Sequence, residues 1–182
     1  MGEQTQVASP HSSSSPSSSS SPLFPQAVLD EYAALGVDLA ALFSAGDLGT
    51  RMGVEILEAS AERVVGTMPV KGNTQPYGLL HGGASAVLAE TLGSVGSMLH
   101  GGPAKIAVGV DLNCTHHRGA RDGLVTGTAT PVHRGRSTAT YEIVITDEQD
   151  RRVCTARLTC LLRDLAPKDA AHVPVTGPAA AS

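Results

Sequence analysis

The segment with the clearest potential for chemistry is residues 75–97, which read QPYGLLHGGASAVLAETLGSVGS. Its apolar residues recur with the period of an α-helix, and Glu90 is its one carboxylate. On that helix, Glu90 shares a narrow face with small residues only, namely Gly83, Ala86, Gly93, Ser94 and Ser97. Small side chains let a ligand or a second helix approach closely, and a buried carboxylate without a partner is costly. Glu90 is therefore predicted to reach solvent, to pair with another group or to take part in chemistry, and the ordinary alternative is a helix-forming glutamate at a solvated position.

The tripeptide His81-Gly82-Gly83 stands at the start of this helix. Free backbone N–H groups there, aided by the helix dipole, stabilise a developing oxyanion, and glycine permits a carbonyl to approach closely. The same tripeptide also forms simple helix-entry turns. In α/β-hydrolases a His-Gly-Gly oxyanion element works with a downstream Gly-x-Ser-x-Gly turn, which this sequence lacks.

One long helix and six strand-like segments must position these groups. The helix is predicted over residues 79–99, with a broad apolar stripe on the side away from the small-residue face. The strand patterns cover residues 53–59, 63–70, 106–112, 124–132, 137–146 and 153–162. Short links join the last three into an antiparallel meander. This order predicts an α+β fold in which one sheet wraps around one helix, and the lack of repeated βαβ units disfavours a Rossmann fold.

The regions outside this core divide into a lead-in and two tails. Residues 23–45 have helical apolar spacing, with Gly36 weakening the middle, so two short helices are an alternative to one. This lead-in is expected to be packing material without chemistry, ahead of a core domain at 46–165. Residues 1–22 are rich in Ser and Pro and are predicted to be disordered, and residues 166–182 form a flexible tail.

Composition excludes several classes of function. The 182 residues carry a net charge of −4, which argues against a generally basic nucleic-acid or membrane-surface protein. Only 3% of them are aromatic and Trp is absent, which argues against stacking on single-stranded nucleic acid. The three cysteines lack CxxC spacing, and His116 and His117 are adjacent on a strand, so no metal site is expected. Without a signal peptide or an apolar span, the expected location is the cytoplasm.

The run QPYGLLHGGASAVLAETLGS resembles the hot-dog-fold thioesterases. More narrowly, it is similar to the 4-hydroxybenzoyl-CoA thioesterases of the branch that carries the catalytic carboxylate on the hot-dog helix, as the phenylacetate-pathway thioesterases do. The resemblance covers about residues 46–162. It implies an antiparallel sheet wrapped around one central helix, which agrees with the element order above.

The resemblance also implies roles for individual residues. Glu90 would attack the thioester carbonyl or activate water, and the Gly82 N–H would polarise that carbonyl. His81 would shape the turn, and Gln75 would orient substrate or water. Ser94 stands where the family usually has Thr, so it keeps the hydroxyl and loses the methyl. Family members are typically dimers of dimers with the site between subunits, so a monomer would be inactive.

Coenzyme A would enter as part of the substrate, and no separate cofactor is implied. Its phosphates need cations or N–H donors, and Arg134 and Arg136 in the turn before a strand are the first candidates. The resemblance adds Ser137 and Thr138 as contacts to the nucleotide or pantetheine end, and Gly83 at the helix start. Second-choice cations are Arg118 and Arg121, while Tyr77 or Asp111 are conjectured to meet a substrate hydroxyl.

The predicted reaction is hydrolysis of an aromatic acyl-CoA, with 4-hydroxybenzoyl first and phenylacetyl or hydroxynaphthoyl behind. Two other functions stay open. A hot-dog hydratase would use an Asp/His pair in a different motif, which is not found around this helix. A non-catalytic acyl-CoA-binding module would keep the basic turn without needing a buried Glu90, and a regulator would carry a DNA-binding segment, of which the sequence has no sign.

Overall fold

A computed structural model describes residues 26–34, 36–44 and 47–166. In chain order these form α1 (Gln26–Ala34), α2 (Leu39–Ser44), α3 (Asp47–Met52), β1 (Glu55–Ala59), β2 (Val64–Pro69), α4 (Gly82–Gly101), β3 (Lys105–His116), β4 (Leu124–Arg134), β5 (Thr138–Asp147) and β6 (Arg152–Asp164). The predicted disordered tail and most of the predicted C-terminal tail lie outside the described residues. None of the helices in the described part of the chain is long and apolar enough to cross a membrane.

All six strands form one antiparallel sheet in the order β1-β2-β4-β5-β6-β3, and α4 packs against every strand of it. The predicted meander of β4, β5 and β6 and the single helix inside the sheet are confirmed. The core fills the space between helix and sheet with Leu88, Leu92 and Val95 from α4 and Ile143 and Leu158 from the strands. This is the hot-dog architecture that the sequence predicts.

The long helix begins three residues later than predicted, at Gly82. Leu80 is extended: it bridges to Thr74, and its N–H donates to the carbonyl of Ala120 at 2.8 Å. His81 is also extended, with φ −68° and ψ 134°, and its Nδ1 accepts the Gly83 N–H at 2.8 Å. These contacts give the leucines before the helix a sheet-like role, which helical periodicity alone cannot reveal.

Two of the small residues of α4 lie elsewhere than predicted. They were expected on a face away from the apolar stripe, yet Gly93 and Ser97 are buried. A Cβ on Gly93 would lie 2.7 Å from the Leu158 Cδ2, and one on Gly96 would lie 2.6 Å from the Tyr141 ring. Close packing of the helix on the sheet therefore needs glycine at both positions. At Gly96 the Tyr141 ring is also held in place, because its hydroxyl hydrogen-bonds to the carbonyls of Ala61 and Gly96.

The lead-in forms two short helices, the alternative that Gly36 predicted. Gly36 has φ +75°, and the Val37 N–H donates to the Tyr32 carbonyl at 3.0 Å, which closes α1 before α2 begins. Tyr32 is 3% exposed, so α1 is anchored in the core. The third short helix, α3, is an element that the sequence analysis missed, because Gly49 interrupts its helical pattern and it has only six residues.

Strand β3 forms an exposed edge of the sheet. It pairs with β6 on one side, and the register shifts between Gly109 and Asp111 as at a β-bulge. Val108 and Val110 are 40% and 61% exposed. A long edge strand with exposed apolar residues is a ready template for pairing with another strand.

Candidate functional site

The Glu90 carboxylate lies against the backbone of β3. A Cβ built on Gly109 would overlap the Glu90 Oε1 atom, so the side chain reaches from the middle of α4 to the bulge in the edge strand. Gly109 is not one of the glycines in the described chain that have a positive φ, so its backbone conformation does not require glycine. The missing side chain instead makes room for the carboxylate.

Burial changes the acidity of Glu90. The side chain is half-buried, and desolvation raises the pKa of its carboxyl above the usual glutamate value, although the Ser94 hydroxyl opposes this shift. Ser94 Oγ lies 3.5 Å from Glu90 Oε1, at the long end for a hydrogen bond, and 3.9 Å from Cys160 Sγ. A half-buried carboxylate with few donors is suited to accept a proton or attack a carbonyl.

The start of α4 presents the second predicted group. His81 caps the helix through its Nδ1, which fits the turn-shaping role predicted for it. Gly82 is half-buried, and a Cβ there would lie 2.9 Å from the Nε2 of His116. The structure therefore brings an imidazole to the glycine whose N–H is the candidate oxyanion donor.

A cavity of about 350 Å³ lies between the start of α4 and the end of β3. Gln75, Gly82 and Ser85 line it from one side, and His116, Arg118 and Gly119 line it from the other. The sequence suggests His116 only as a possible metal ligand and gives no sign that it lies next to Gly82. Adjacency to His117 gave no signal of this role, because the contact depends on β3 passing the start of α4.

Glu90 and Gly82 are far apart within one chain. Eight residues separate them along α4, so at about 1.5 Å per residue they lie roughly 12 Å apart along the helix axis. The structure thus forms two clusters, Glu90 with Ser94 and Gln75 with Gly82. A single chain does not present both to one thioester carbonyl.

Most of the predicted coenzyme A contacts lie in one turn between β4 and β5. Arg134 forms an ion pair with Glu62, with Nη1 2.6 Å from Oε1. The Arg136 carbonyl accepts from Lys105 Nζ at 2.8 Å, while the side chain of Arg136 and Ser137 are exposed and Thr138 is half-buried. His100 Nε2 lies 3.0 Å from the Gly135 carbonyl, so this basic turn packs on the end of α4.

Gly83, by contrast, lies at the opposite end of that helix. Seventeen residues separate Gly83 from His100, which is about 26 Å along the axis. Of the second-choice cations, Arg118 lines the Gln75 cavity and Arg121 is exposed. Tyr77 is 82% exposed and Asp111 is exposed on β3, so neither faces a substrate within one chain.

Cysteines and acidic side chains form no metal centre in the part of the chain that the structure describes. There, His, Cys, Asp and Glu side chains do not form any group of three or more that could hold an ion. Cys154 and Cys160 are buried and Cys114 is half-buried, and all three are free thiols. They occupy strands β3 and β6.

Known proteins match this chain across the same core. A family model described as the thioesterase superfamily matches residues 77–154. A Deinococcus radiodurans protein named as an esterase is 52% identical over 116 residues, which are 63% of this chain and 73% of that protein. The proofreading thioesterase EntH of Cronobacter turicensis is 46% identical over 117 residues, which are 64% of this chain and 85% of EntH.

This chain belongs to the thioesterase superfamily. The thioesterase HI1161 of Haemophilus influenzae has a similar solved structure, with a TM-score of 0.66 and 38% identity over 70% of this chain and 90% of that one. The expected hot-dog fold is thereby confirmed. The narrower resemblance to 4-hydroxybenzoyl-CoA thioesterases stays a prediction.

The family model matches residues 77–154 and leaves the rest of the chain unmatched. Residues 77–154 include Gly82, Glu90, Ser94 and His116 on α4 and β3. Gln75 and the short helices α1 to α3 lie before the matched region. Features built from the lead-in therefore have to be interpreted from this structure itself.

Proposed function

We propose that this protein hydrolyses acyl-CoA thioesters with Glu90 as nucleophile or general base. The observation that carries the proposal is the Glu90 carboxylate, half-buried with a raised pKa and seated where Gly109 leaves room for it. A thioester carbonyl is a good electrophile, so one carboxylate and one N–H donor make a sufficient catalytic set. Direct attack would give a mixed anhydride and a thiolate, and base catalysis would deliver a proton from water to Glu90.

The complete site is proposed to form between two copies of the chain. Antiparallel pairing of β3 with its copy, centred on Leu112 in the middle of the exposed stretch, places Gly109 opposite Thr115 of the partner subunit. Since Glu90 lies at Gly109 and His116 lies at Gly82, this pairing brings the Glu90 cluster of one copy to the Gly82 cluster of the other. It also covers Val108 and Val110 at the exposed edge.

The thiol end of the substrate is proposed to be coenzyme A. A hot-dog thioesterase from Streptococcus pneumoniae, whose likeness here is one of fold (TM-score 0.60, 22% identity over 67% of this chain and 94% of that one), has been solved with coenzyme A. Arg136, Ser137 and Thr138 are proposed to contact it, together with Arg134, which would have to leave Glu62 or bind alongside it. Gly83 would contribute from the other subunit.

The acyl group is proposed to be aromatic on the resemblance alone, with 4-hydroxybenzoyl first and phenylacetyl or hydroxynaphthoyl next.

The test of the hydrolase function is thiol release from 4-hydroxybenzoyl-, phenylacetyl- and dodecanoyl-CoA. Turnover of any of them at about 1 per second or more, the lower end of the usual range for enzymes, supports the hydrolase. Binding of these esters without thiol release would overturn it in favour of a binding module.

A mixing experiment tests the shared site. Gln75→Ala and Glu90→Ala chains, each with a different affinity tag, are co-expressed, and assemblies that contain both are purified. If one site takes Glu90 from one copy and Gln75 from the other, each hybrid dimer keeps one intact site of two and about half the wild-type activity. Each variant alone is expected to be nearly inactive. Hybrids as inactive as the parents would mean that each site lies within one chain.

A further inference from the structure

A second cavity, of about 800 Å³, lies between α4, the start of β3 and the lead-in. We call it the lead-in pocket. Its walls are Ser94 and Met98 from α4, Ile106 and Ala107 from β3, Val54 and Ile56 from β1, and residues of α1 to α3 that include Tyr32, Leu42 and Leu48. One copy of the chain supplies all of these walls. The predicted packing role of the lead-in leaves this cavity unexplained.

The lead-in pocket reaches Ser94, the side chain next to the candidate catalytic carboxylate. Ser94 is part of its wall, and Ser94 Oγ lies 3.5 Å from Glu90 Oε1. Ala107 precedes Gly109 by two residues on β3, and residues two apart on a strand face the same side. The pocket therefore extends from Ser94, beside Glu90, along α4 past Met98 toward the lead-in helices.

The lining is apolar, and its polar side chains are engaged elsewhere. Thr91 Oγ1 donates to the Val87 carbonyl at 2.8 Å, and Lys105 Nζ donates to the Arg136 carbonyl at 2.8 Å. The Tyr32 hydroxyl lies 3.4 Å from the Met98 carbonyl, and burial raises its pKa to about 12, so it stays neutral. Thr50 also has a partner, and the Ser94 hydroxyl faces Glu90 Oε1 at 3.5 Å. Such a lining suits an unsubstituted hydrocarbon better than a ring with a hydroxyl group.

The volume points the same way. Pockets of about 300–1,000 Å³ hold drug-sized ligands, and the lead-in pocket is in the upper part of that range. A single aromatic ring would leave most of it empty, and unfilled apolar volume gives up dispersion contacts. An acyl group that fills it must extend well past one ring.

We propose that the lead-in pocket binds the acyl group of the substrate, and that this group is apolar and longer than a single ring. The inference rests on the proposed thioesterase function and changes the order of its substrates, with bicyclic or long aliphatic acyl groups ahead of 4-hydroxybenzoyl. Helices α1 to α3 then act as the wall that sets acyl length. The carbonyl stays at Glu90 while the hydrocarbon runs past Ser94 and Met98 toward Leu48.

The test narrows the pocket and measures selectivity for acyl length. Wild type and Met98→Trp are assayed with acetyl-, 4-hydroxybenzoyl-, 2-naphthoyl- and dodecanoyl-CoA, the last two separating bicyclic from aliphatic groups. Since one methylene too many in an apolar pocket costs about 10–200-fold, Met98→Trp is expected to lower kcat/KM for the long ester about 30-fold or more. Acetyl-CoA turnover should change less than about threefold. Leu57→Trp, on the other face of β1 and 57% exposed, is the matched control.

A second variant protects the test against misfolding. Leu48 lines the pocket but is 58% exposed, so Leu48→Trp cannot overpack the core and should show the same selectivity change. Equal losses for short and long esters, or no loss in either variant, would overturn the proposal and leave a second copy or residues 1–25 as the occupant.

The failure of the proposed function would look different. If wild type hydrolyses none of the esters, the thioesterase proposal fails, and calorimetric titration with dodecanoate then decides the pocket separately. Saturable binding that Met98→Trp weakens would keep the acyl-binding role. Binding that neither pocket variant changes, or none at all, would overturn it.

Discussion

Replacing Glu90 by glutamine is expected to lower kcat for thioester hydrolysis by about 10³-fold, which corresponds to roughly 4 kcal/mol of barrier. Glutamine keeps the shape of the side chain beside Gly109 but can neither attack a carbonyl nor accept a proton. The measurement is steady-state thiol release by wild type and Glu90→Gln. The control is Glu55→Gln on β1, where the side chain is exposed and activity should be unchanged.

The same substitution is expected to stabilise the fold at neutral pH. Because burial raises the pKa of Glu90 in the folded protein, the ionised form costs stability above the unfolded-state pKa, and this cost is absent at lower pH where both states are protonated. The Tm of Glu90→Gln should therefore exceed that of wild type at pH 8, with the difference shrinking toward pH 4. Wild-type kcat/KM should correspondingly fall with decreasing pH at values above the usual glutamate pKa.

Full activity in Glu90→Gln would show that the carboxylate has no part in the reaction, whatever the substrate. A loss of activity together with a lower Tm at every pH would assign Glu90 a structural role instead. Only the combination of lost turnover and retained or increased stability matches a catalytic carboxylate held against a cost of burial.

Gly109→Ala is expected to reduce kcat by about 10²-fold or more, because displacing a reacting group by about 1 Å is enough for such a loss. The new Cβ would occupy the position of Glu90 Oε1, so the carboxylate has to move. The backbone of Gly109 is outside the positive-φ region, so alanine itself is tolerated there and the Tm should change little.

The matched control is Gly101→Ala at the end of α4. A Cβ there would meet Lys105 Cβ at 3.4 Å, an ordinary contact, and lies far from Glu90. Activity retained in Gly101→Ala and lost in Gly109→Ala would attribute the effect to the carboxylate. Equal activity in both variants would contradict the position of Glu90 described above.

Local patterns were sufficient to predict the central helix and the strands of the fold. The 3.6-residue period around Leu88 and Leu92 predicts α4, and the alternating Thr, Val and Ile residues predict β4 to β6, because each pattern reports which side of an element is buried. Short links made the meander predictable as well. Helix α3 was missed because six residues with an internal glycine carry too little periodic signal.

The candidate site was predictable only as a set of residue types. Glu90 and the His81-Gly82-Gly83 turn were identified because a carboxylate among small residues and glycines at a helix start have few ordinary explanations. Their surroundings were not. The small-residue face was placed away from the core, whereas Gly93 packs on Leu158 in the sheet.

The sequence by itself determined one helix inside an antiparallel sheet and singled out Glu90 as the candidate carboxylate, since both follow from the order of nearby residues. The tertiary structure alone decided that β3 is the edge strand, that Gly109 receives Glu90, that His116 meets Gly82, and that α1 to α3 enclose a pocket beside Ser94. These are contacts between segments distant in the chain, and the residues around one partner do not indicate which distant residue it will contact. They depend on strand order and on a bulge in β3, which periodicity does not encode.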